Sequence, residues 1–237
     1  MHTLLSPAYW LLFPGLFFLT ACQTDDDMPV PPPPASPDVI TYLALGDSYT
    51  IGTAVPDQHR WPSQLRDSLQ RDGFTLEEVT YVARNGWTTD ELDAGIDAAP
   101  LRDRYELVSL LIGVNNQFRG RSLAEYRGEF EALLQRAIGF AGGDNTRVFV
   151  VSIPDYAFTP FGQNSGNAAQ ISAGIDAFNA ANRSIAEQYN VAYFDITPIS
   201  REGIMEPILV ASDGLHPSFR QYQRWVSLLL PGVKGLL

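Results

Sequence analysis

From residue 39 onward, short apolar runs alternate with longer stretches whose apolar residues recur every three or four positions. The short runs lie at 39–45, 78–83 (Glu-Val-Thr-Tyr-Val-Ala), 106–112, 147–153 and 191–195, and have the length and composition of strands. The periodic stretches predict helices near 61–72, 89–98, 122–140 and 168–189, with a last one at 217–230. Thr89 ahead of Asp90-Glu91-Leu92 marks a helix start, and Ser122 with Glu125 three residues on has the spacing of a capping box. Strands and helices in alternation, with the strands apolar throughout, predict an α/β fold with a parallel sheet covered on both faces.

Residues 1–38 do not follow this rhythm. The stretch from Leu4 to Leu19 is apolar but broken by Pro7 and Pro14. It is short for a membrane span and sits where a signal peptide would lie. Leu19-Thr20-Ala21-Cys22 resembles a bacterial lipobox, whose cysteine carries the lipid and becomes the first mature residue. Residues 1–21 are therefore expected to be a lipoprotein-type signal peptide, Cys22 the lipidation site, and 22–38 an acidic, proline-rich linker. The proline run favours extended polyproline II, a semi-rigid spacer, and Asp25-Asp26-Asp27 reads as a solvated acidic patch. The expected location is that of an exported bacterial lipoprotein, anchored in a membrane and facing the periplasm or the cell surface.

Residues 39–237 suffice for one domain with a full core. The whole chain carries a formal charge of −11, and four acids precede residue 39 with no base among them, which leaves the domain at −7. An acidic domain without a Lys/Arg cluster repels phosphate backbones, so nucleic acid is not an expected partner. Cys22 is the sole cysteine, which excludes an internal disulfide. Two histidines beyond the signal segment, His59 and His216, leave little for a zinc site, and neither a metal nor a cofactor is expected. A monomer is expected.

Chemistry gathers where the predicted strands end. The first strand runs into Gly46-Asp47-Ser48, the second into Arg84-Asn85-Gly86-Trp87 and the third into Gly113-Val114-Asn115-Asn116. The fourth ends in Pro154-Asp155-Tyr156, and after the fifth the chain reaches Asp213-Gly214-Leu215-His216-Pro217. That edge of an open α/β sheet is where ligands bind. Taken singly, each cluster is also ordinary turn composition: Gly-Asp-Ser suits a strand-to-loop turn, and Asp-x-x-His-Pro suits a helix start. His59 lies in Asp57-Gln58-His59-Arg60-Trp61 and reads as a surface or packing histidine. The three-residue spacing of Asp213 and His216 lets one turn present the imidazole while the carboxylate reaches its Nδ1–H.

Gly46-Asp47-Ser48, Gly86, Gly113-x-Asn115 and Asp213-x-x-His216 resemble, in that order, the four sequence blocks of the SGNH/GDSL hydrolases. The resemblance extends over essentially all of 39–237. It implies a flavodoxin-like three-layer α/β/α sandwich with parallel strand order 2-1-3-4-5. It also implies Ser48 as nucleophile, His216 as base and Asp213 as its orienting acid. The implied oxyanion hole comprises the backbone N–H groups of Ser48 and Gly86 and the side-chain amide of Asn115. The third block usually reads Gly-x-Asn-Asp, and here Asn116 replaces the final acid. No Gly-x-Ser-x-Gly elbow occurs.

Candidate pocket residues are Trp87, Asn116, Phe118, and Tyr156 and Phe158 within the run Tyr156-Ala157-Phe158-Thr159-Pro160-Phe161, while Arg119 or Arg121 could meet an anionic substrate. The expected activity is a serine esterase that forms an acyl-enzyme on Ser48. Its substrates would be small acyl esters, acetylated glycans or lysophospholipids. The alternatives are a non-catalytic lipoprotein that binds glycan or lipid, and an acyltransferase using the same triad.

Overall fold

The computed structural model describes residues 39–237, together with His2. The expected signal peptide, Cys22 and the linker to residue 38 lie outside the described residues. The expected strands all form: β1 (Tyr42–Gly46), β2 (Thr80–Ala83), β3 (Leu107–Leu111), β4 (Val148–Val151) and β5 (Ala192–Phe194). They make one sheet in the order β2-β1-β3-β4-β5, parallel at every junction, as the resemblance implies. Every residue of β1, β3 and β4 is buried, whereas edge strands β2 and β5 are mostly half-buried. Burial on both faces is why the central strands are unbroken apolar runs.

The helices in chain order are α1 (Ser48–Ile51), α2 (Trp61–Arg71), α3 (Thr89–Ala98), α4 (Val114–Phe118), α5 (Leu123–Phe140), α6 (Pro160–Asn164), α7 (Ala168–Gln188), α8 (Thr197–Ser200) and α9 (Phe219–Lys234). Helix α2 packs against α9, while α3, α5 and α7 pack in series, so the sheet is flanked by two helical layers. Trp61 of α2 meets Phe149 of β4 edge-on at 6.2 Å, and Tyr126 of α5 lies 4.4 Å from Phe178 of α7. Trp61, Trp225, Tyr126 and Phe149 are all fully buried, and aromatic side chains of that size dominate core energetics.

Helix α3 starts at Thr89 and spans the range the pattern predicts. Thr88 is its N-cap, because the Thr88 N–H donates to Glu91 Oε2 at 2.9 Å. At α5, Ser122 Oγ accepts the Glu125 N–H at 3.2 Å, which is one half of the expected capping box; among the described residues the return bond from the Ser122 N–H to Glu125 is absent.

Candidate active site

The C-terminal ends of β1, β2 and β3 deliver three of the expected clusters to one place. Gly46 ends β1, and a Cβ there would run into the Thr50 side chain and the Leu111 carbonyl, so the chain can turn this tightly only at a glycine. Asp47 caps α1 by accepting the Tyr49 N–H at 3.0 Å, which fixes Ser48 as the first residue of that helix. Ser48 is 5% exposed. Asp47 is wholly buried, and its Oδ2 has no hydrogen-bond partner among the described residues. Burial pushes its carboxyl up to about 7, against the bond from Tyr49 that pulls the other way.

Gly86 follows β2 with φ +82, in the left-handed region. Around the position a Cβ would occupy, the one heavy atom within 4 Å is Arg119 Nη2, at 3.8 Å. Glycine is needed here for its backbone angle and not for space. Asn115 lies in α4, and its Nδ2 donates to the Trp87 carbonyl at 2.9 Å. That bond orients the amide while leaving its second N–H uncommitted.

The loop before α9 brings the remaining pair. His216 Nδ1 meets Asp213 Oδ2 at 2.6 Å. Asp213 Oδ1 accepts the backbone N–H of Leu215 and of His216, each at 3.0 Å. Partial burial would raise the Asp213 carboxyl, but the bonds from Leu215 and His216 outweigh it and hold the group below the usual carboxylate range. The carboxylate thus locks both the loop and the ring. The ring also lies 5.5 Å from that of Tyr49, beside Ser48.

Ser48, Gly86, Asn115 and His216 line one cleft of about 330 Å³, with Tyr49, Asn85, Val114, Phe118, Tyr156, Phe161 and Leu215 completing its walls. Ser48 and His216 share the cleft without a hydrogen bond to each other, the imidazole's bond going to Asp213. Phe118, Tyr156 and Phe161 form an aromatic triangle, with centroids 6.2 to 6.3 Å apart. Tyr156 OH donates to Gln117 Oε1 at 2.9 Å, which ties the β4 end to α4. Among the described residues, no carboxylate, lysine or arginine lines the cleft.

Several expected pocket residues are elsewhere. Trp87 turns away and packs on α3, where Gly95 leaves the space its indole fills. Phe158 lies outside the cleft, with the Arg201 guanidinium 6.0 Å from its ring centroid. Asn116 is fully buried and bonds to Thr89, not to the cleft. Neither candidate arginine awaits an anion: Arg119 is held by Glu91 and the Gly86 carbonyl, and Arg121 by Asp90, Glu125 and Glu129. His59 sits on Phe219, 5.1 Å between ring centroids, away from the site. Tyr49, Asn85, Val114 and Leu215 were not anticipated, yet each adjoins a block residue in sequence, and a strand end carries its neighbours into the cleft with it.

A match to the GDSL-like lipase/acylhydrolase family covers residues 44–224, and the chain belongs to that family. Its chemistry is accordingly that of a carboxylic ester hydrolase. Among solved structures, it is similar to the lipase/acylhydrolase from Enterococcus faecalis, at 18% identity and TM-score 0.66, covering 83% of this chain and 96% of that one. The acetylxylan esterase Axe2 from Geobacillus stearothermophilus follows at 19% identity and TM-score 0.64, covering 82% and 94%. The psychrotrophic esterase EstA from Pseudoalteromonas sp. has 16% identity and TM-score 0.59, covering 82% and 97%. At these identities the likeness is one of fold. No curated protein sequence matches the chain.

Proposed function

We propose that this protein is a serine esterase acting on uncharged carboxylic esters through an acyl-enzyme on Ser48. The observation that carries this reading is the Asp213–His216 pair, 2.6 Å apart and facing the cleft that Ser48 lines. In the first step Ser48 Oγ bonds to the ester carbonyl carbon as its proton passes to His216 Nε2. Asp213 holds the ring by Nδ1–H and offsets the imidazolium charge. The carbonyl oxygen, now an anion, takes hydrogen bonds from the N–H of Ser48, the N–H of Gly86 and Asn115 Nδ2. Each such donor typically supplies about 3 kcal/mol of barrier lowering. The intermediate expels the alcohol, which leaves with the proton from His216. Water then repeats the sequence on the acyl-enzyme, releasing the carboxylic acid and restoring Ser48. Substrate drawing Ser48 and His216 into contact is consistent with catalytic hydrogen bonds that tighten only in the complex.

The uncharged, aromatic walls favour an apolar acyl or alcohol group over a charged one. EstA is described as inhibited by monoethylphosphonate. By analogy a fluorophosphonate should label Ser48 here, and nitrophenyl acetate should be turned over. Ser48→Ala should remove both while leaving the melting temperature in place. Turnover retained by that variant would refute the assignment.

The N-terminal segment belongs to the same proposal. The lipobox-like Leu19-Thr20-Ala21-Cys22 supports export and lipidation at Cys22, with the esterase tethered to a membrane by its proline-rich linker. Mass spectrometry of the membrane fraction should find Cys22 diacylglycerated; an unmodified Cys22 counts against anchoring.

A further inference from the structure

We propose that Arg119 is a positioning residue that sets the Gly86 donor by holding its carbonyl, an inference that rests on Gly86 N–H serving the oxyanion. Gly86 stands at φ +82, and glycine has a broad backbone energy surface, so nothing in the residue itself fixes the direction of its peptide groups. The surrounding bonds must do it. Thr53 Oγ1 donates to Asn85 Oδ1 at 2.5 Å, Trp87 N–H to the Arg84 carbonyl at 3.3 Å, and Asn115 Nδ2 to the Trp87 carbonyl at 2.9 Å. Among the described residues, only Arg119 grips the backbone of Gly86 itself, through Nη2 to its carbonyl at 2.6 Å.

Asn115 and Arg119 are four residues apart, one helical turn, so both reach from the same face at α4. They take the carbonyls of two consecutive residues, Gly86 and Trp87. Arg119 is in turn anchored, since its Nη1 meets Glu91 Oε1 at 3.1 Å and the other Glu91 oxygen accepts the Thr88 N–H. The Thr88 bond first, and Arg119 after it, hold Glu91 below the usual carboxylate range. The chain Thr88–Glu91–Arg119–Gly86 therefore connects the start of α3 to the cleft. An arginine suits this place because its planar fork reaches two acceptors at once, where a lysine ammonium on a flexible stem does not hold that geometry. Charge-assisted bonds of this kind are about twice as strong as neutral ones.

The test compares wild type, Arg119→Ala, Arg119→Lys and, as control, Arg121→Ala, which removes a neighbouring ion-pair network that touches no backbone at Gly86. Kinetics with nitrophenyl acetate, melting temperature and added guanidinium ion are the readouts. Arg119→Ala should lower kcat about 10- to 100-fold with KM within about threefold, as expected when a donor is displaced by a fraction of an ångström. Millimolar guanidinium should restore part of that kcat in Arg119→Ala and none in Arg121→Ala. Arg119→Lys should fold normally and fall between wild type and Arg119→Ala, which keeps the question answerable if the alanine variant does not fold. Wild-type kcat in Arg119→Ala, or a loss that tracks melting temperature and ignores guanidinium, overturns the positioning role alone. A wild-type protein that neither turns over ester nor takes phosphonate on Ser48 overturns the esterase reading, and this proposal with it.

Discussion

Asn116 holds Thr89 from two sides: its Oδ1 accepts the Thr89 N–H at 3.1 Å, and its Nδ2 donates to Thr89 Oγ1 at 2.6 Å. The N–H fixes which end of the amide faces which atom. With its oxygen already accepting from Asn116, the Thr89 hydroxyl is free to give its proton to Glu129 Oε2. The residue that replaces the family's usual acid therefore works as a donor inside a buried relay.

Asn116→Asp should break that relay. The new carboxylate can still accept the Thr89 N–H, but its second oxygen competes with Glu129 for one hydroxyl proton. Two carboxylates would then face each other in a site where residue 116 is fully buried. A loss of about 1–3 kcal/mol at pH 8 is expected, shrinking as the pH falls and one carboxyl takes a proton. Urea unfolding at pH 5 and pH 8 measures it. Adding Glu129→Gln should recover most of the loss, since the amide restores an alternating order of donors and acceptors. An unchanged midpoint in the single variant would mean the relay carries no stability.

Asp213→Asn should leave the loop and remove the chemistry. The amide oxygen can still accept the Leu215 and His216 N–H groups, but its NH₂ then faces His216 Nδ1. To meet a donor there the ring must carry its proton on Nε2, the nitrogen that accepts from Ser48 in the proposed mechanism. A fall in kcat of about 10³- to 10⁴-fold is expected, with the melting temperature nearly kept at neutral pH. The folded carboxyl sits below its unfolded value, so its stabilisation is present above the ordinary Asp range and is lost as pH falls through the depressed one. The asparagine variant should lack that acid limb. Residual activity within tenfold of wild type would place the base elsewhere.

Phe118 and Phe161 are unusually exposed for side chains of their size, at 59% and 43%. They shield each other and Tyr156 and little else, so their contribution should appear in substrate preference. Phe161→Ala should cost about 1 kcal/mol in kcat/KM for a longer acyl or aryl ester and much less for acetate. A series of nitrophenyl esters of rising acyl length gives the answer. An equal loss across the series would mean that the Phe161 ring does not discriminate acyl length.

The parts of this molecule legible in its sequence share one physical property: they are set by local pattern. Strands β1, β3 and β4 are buried on both faces and so read as unbroken apolar runs. The strand-end clusters were legible for the same reason, because the sheet order brings those ends together whatever the loops do. Helices α1, α4, α6 and α8 were not foreseen, since four or five residues carry no periodicity and such helices stand on tertiary contacts. Side-chain direction was equally hidden. Trp87 and Phe118 both follow an oxyanion candidate, yet one turns onto Gly95 and the other into the cleft. The space at Gly95, in the helix that follows, receives the Trp87 indole.

Asp47 offers the sharpest prediction about pH. Its native carboxyl is raised to about 7 by burial, whereas in the unfolded chain it titrates near the ordinary 3.8. Between those values the unfolded state has lost the proton and the native state retains it. The group's contribution to stability is therefore full below pH 4, declines as pH rises, and is spent above pH 7. The fall amounts to about 4 kcal/mol. Asp47→Asn removes the titration, and its Oδ1 still caps α1 at the Tyr49 N–H. The replacing NH₂ occupies the place where Oδ2 lacks a partner among the described residues, at a cost of about 1–3 kcal/mol. The variant should therefore be no more stable than wild type at pH 4 and more stable at pH 8. Denaturant midpoints across that range would show two curves that cross. Parallel curves would mean that Asp47 ionises at its ordinary pH inside the fold, and that something beside Ser48 solvates it.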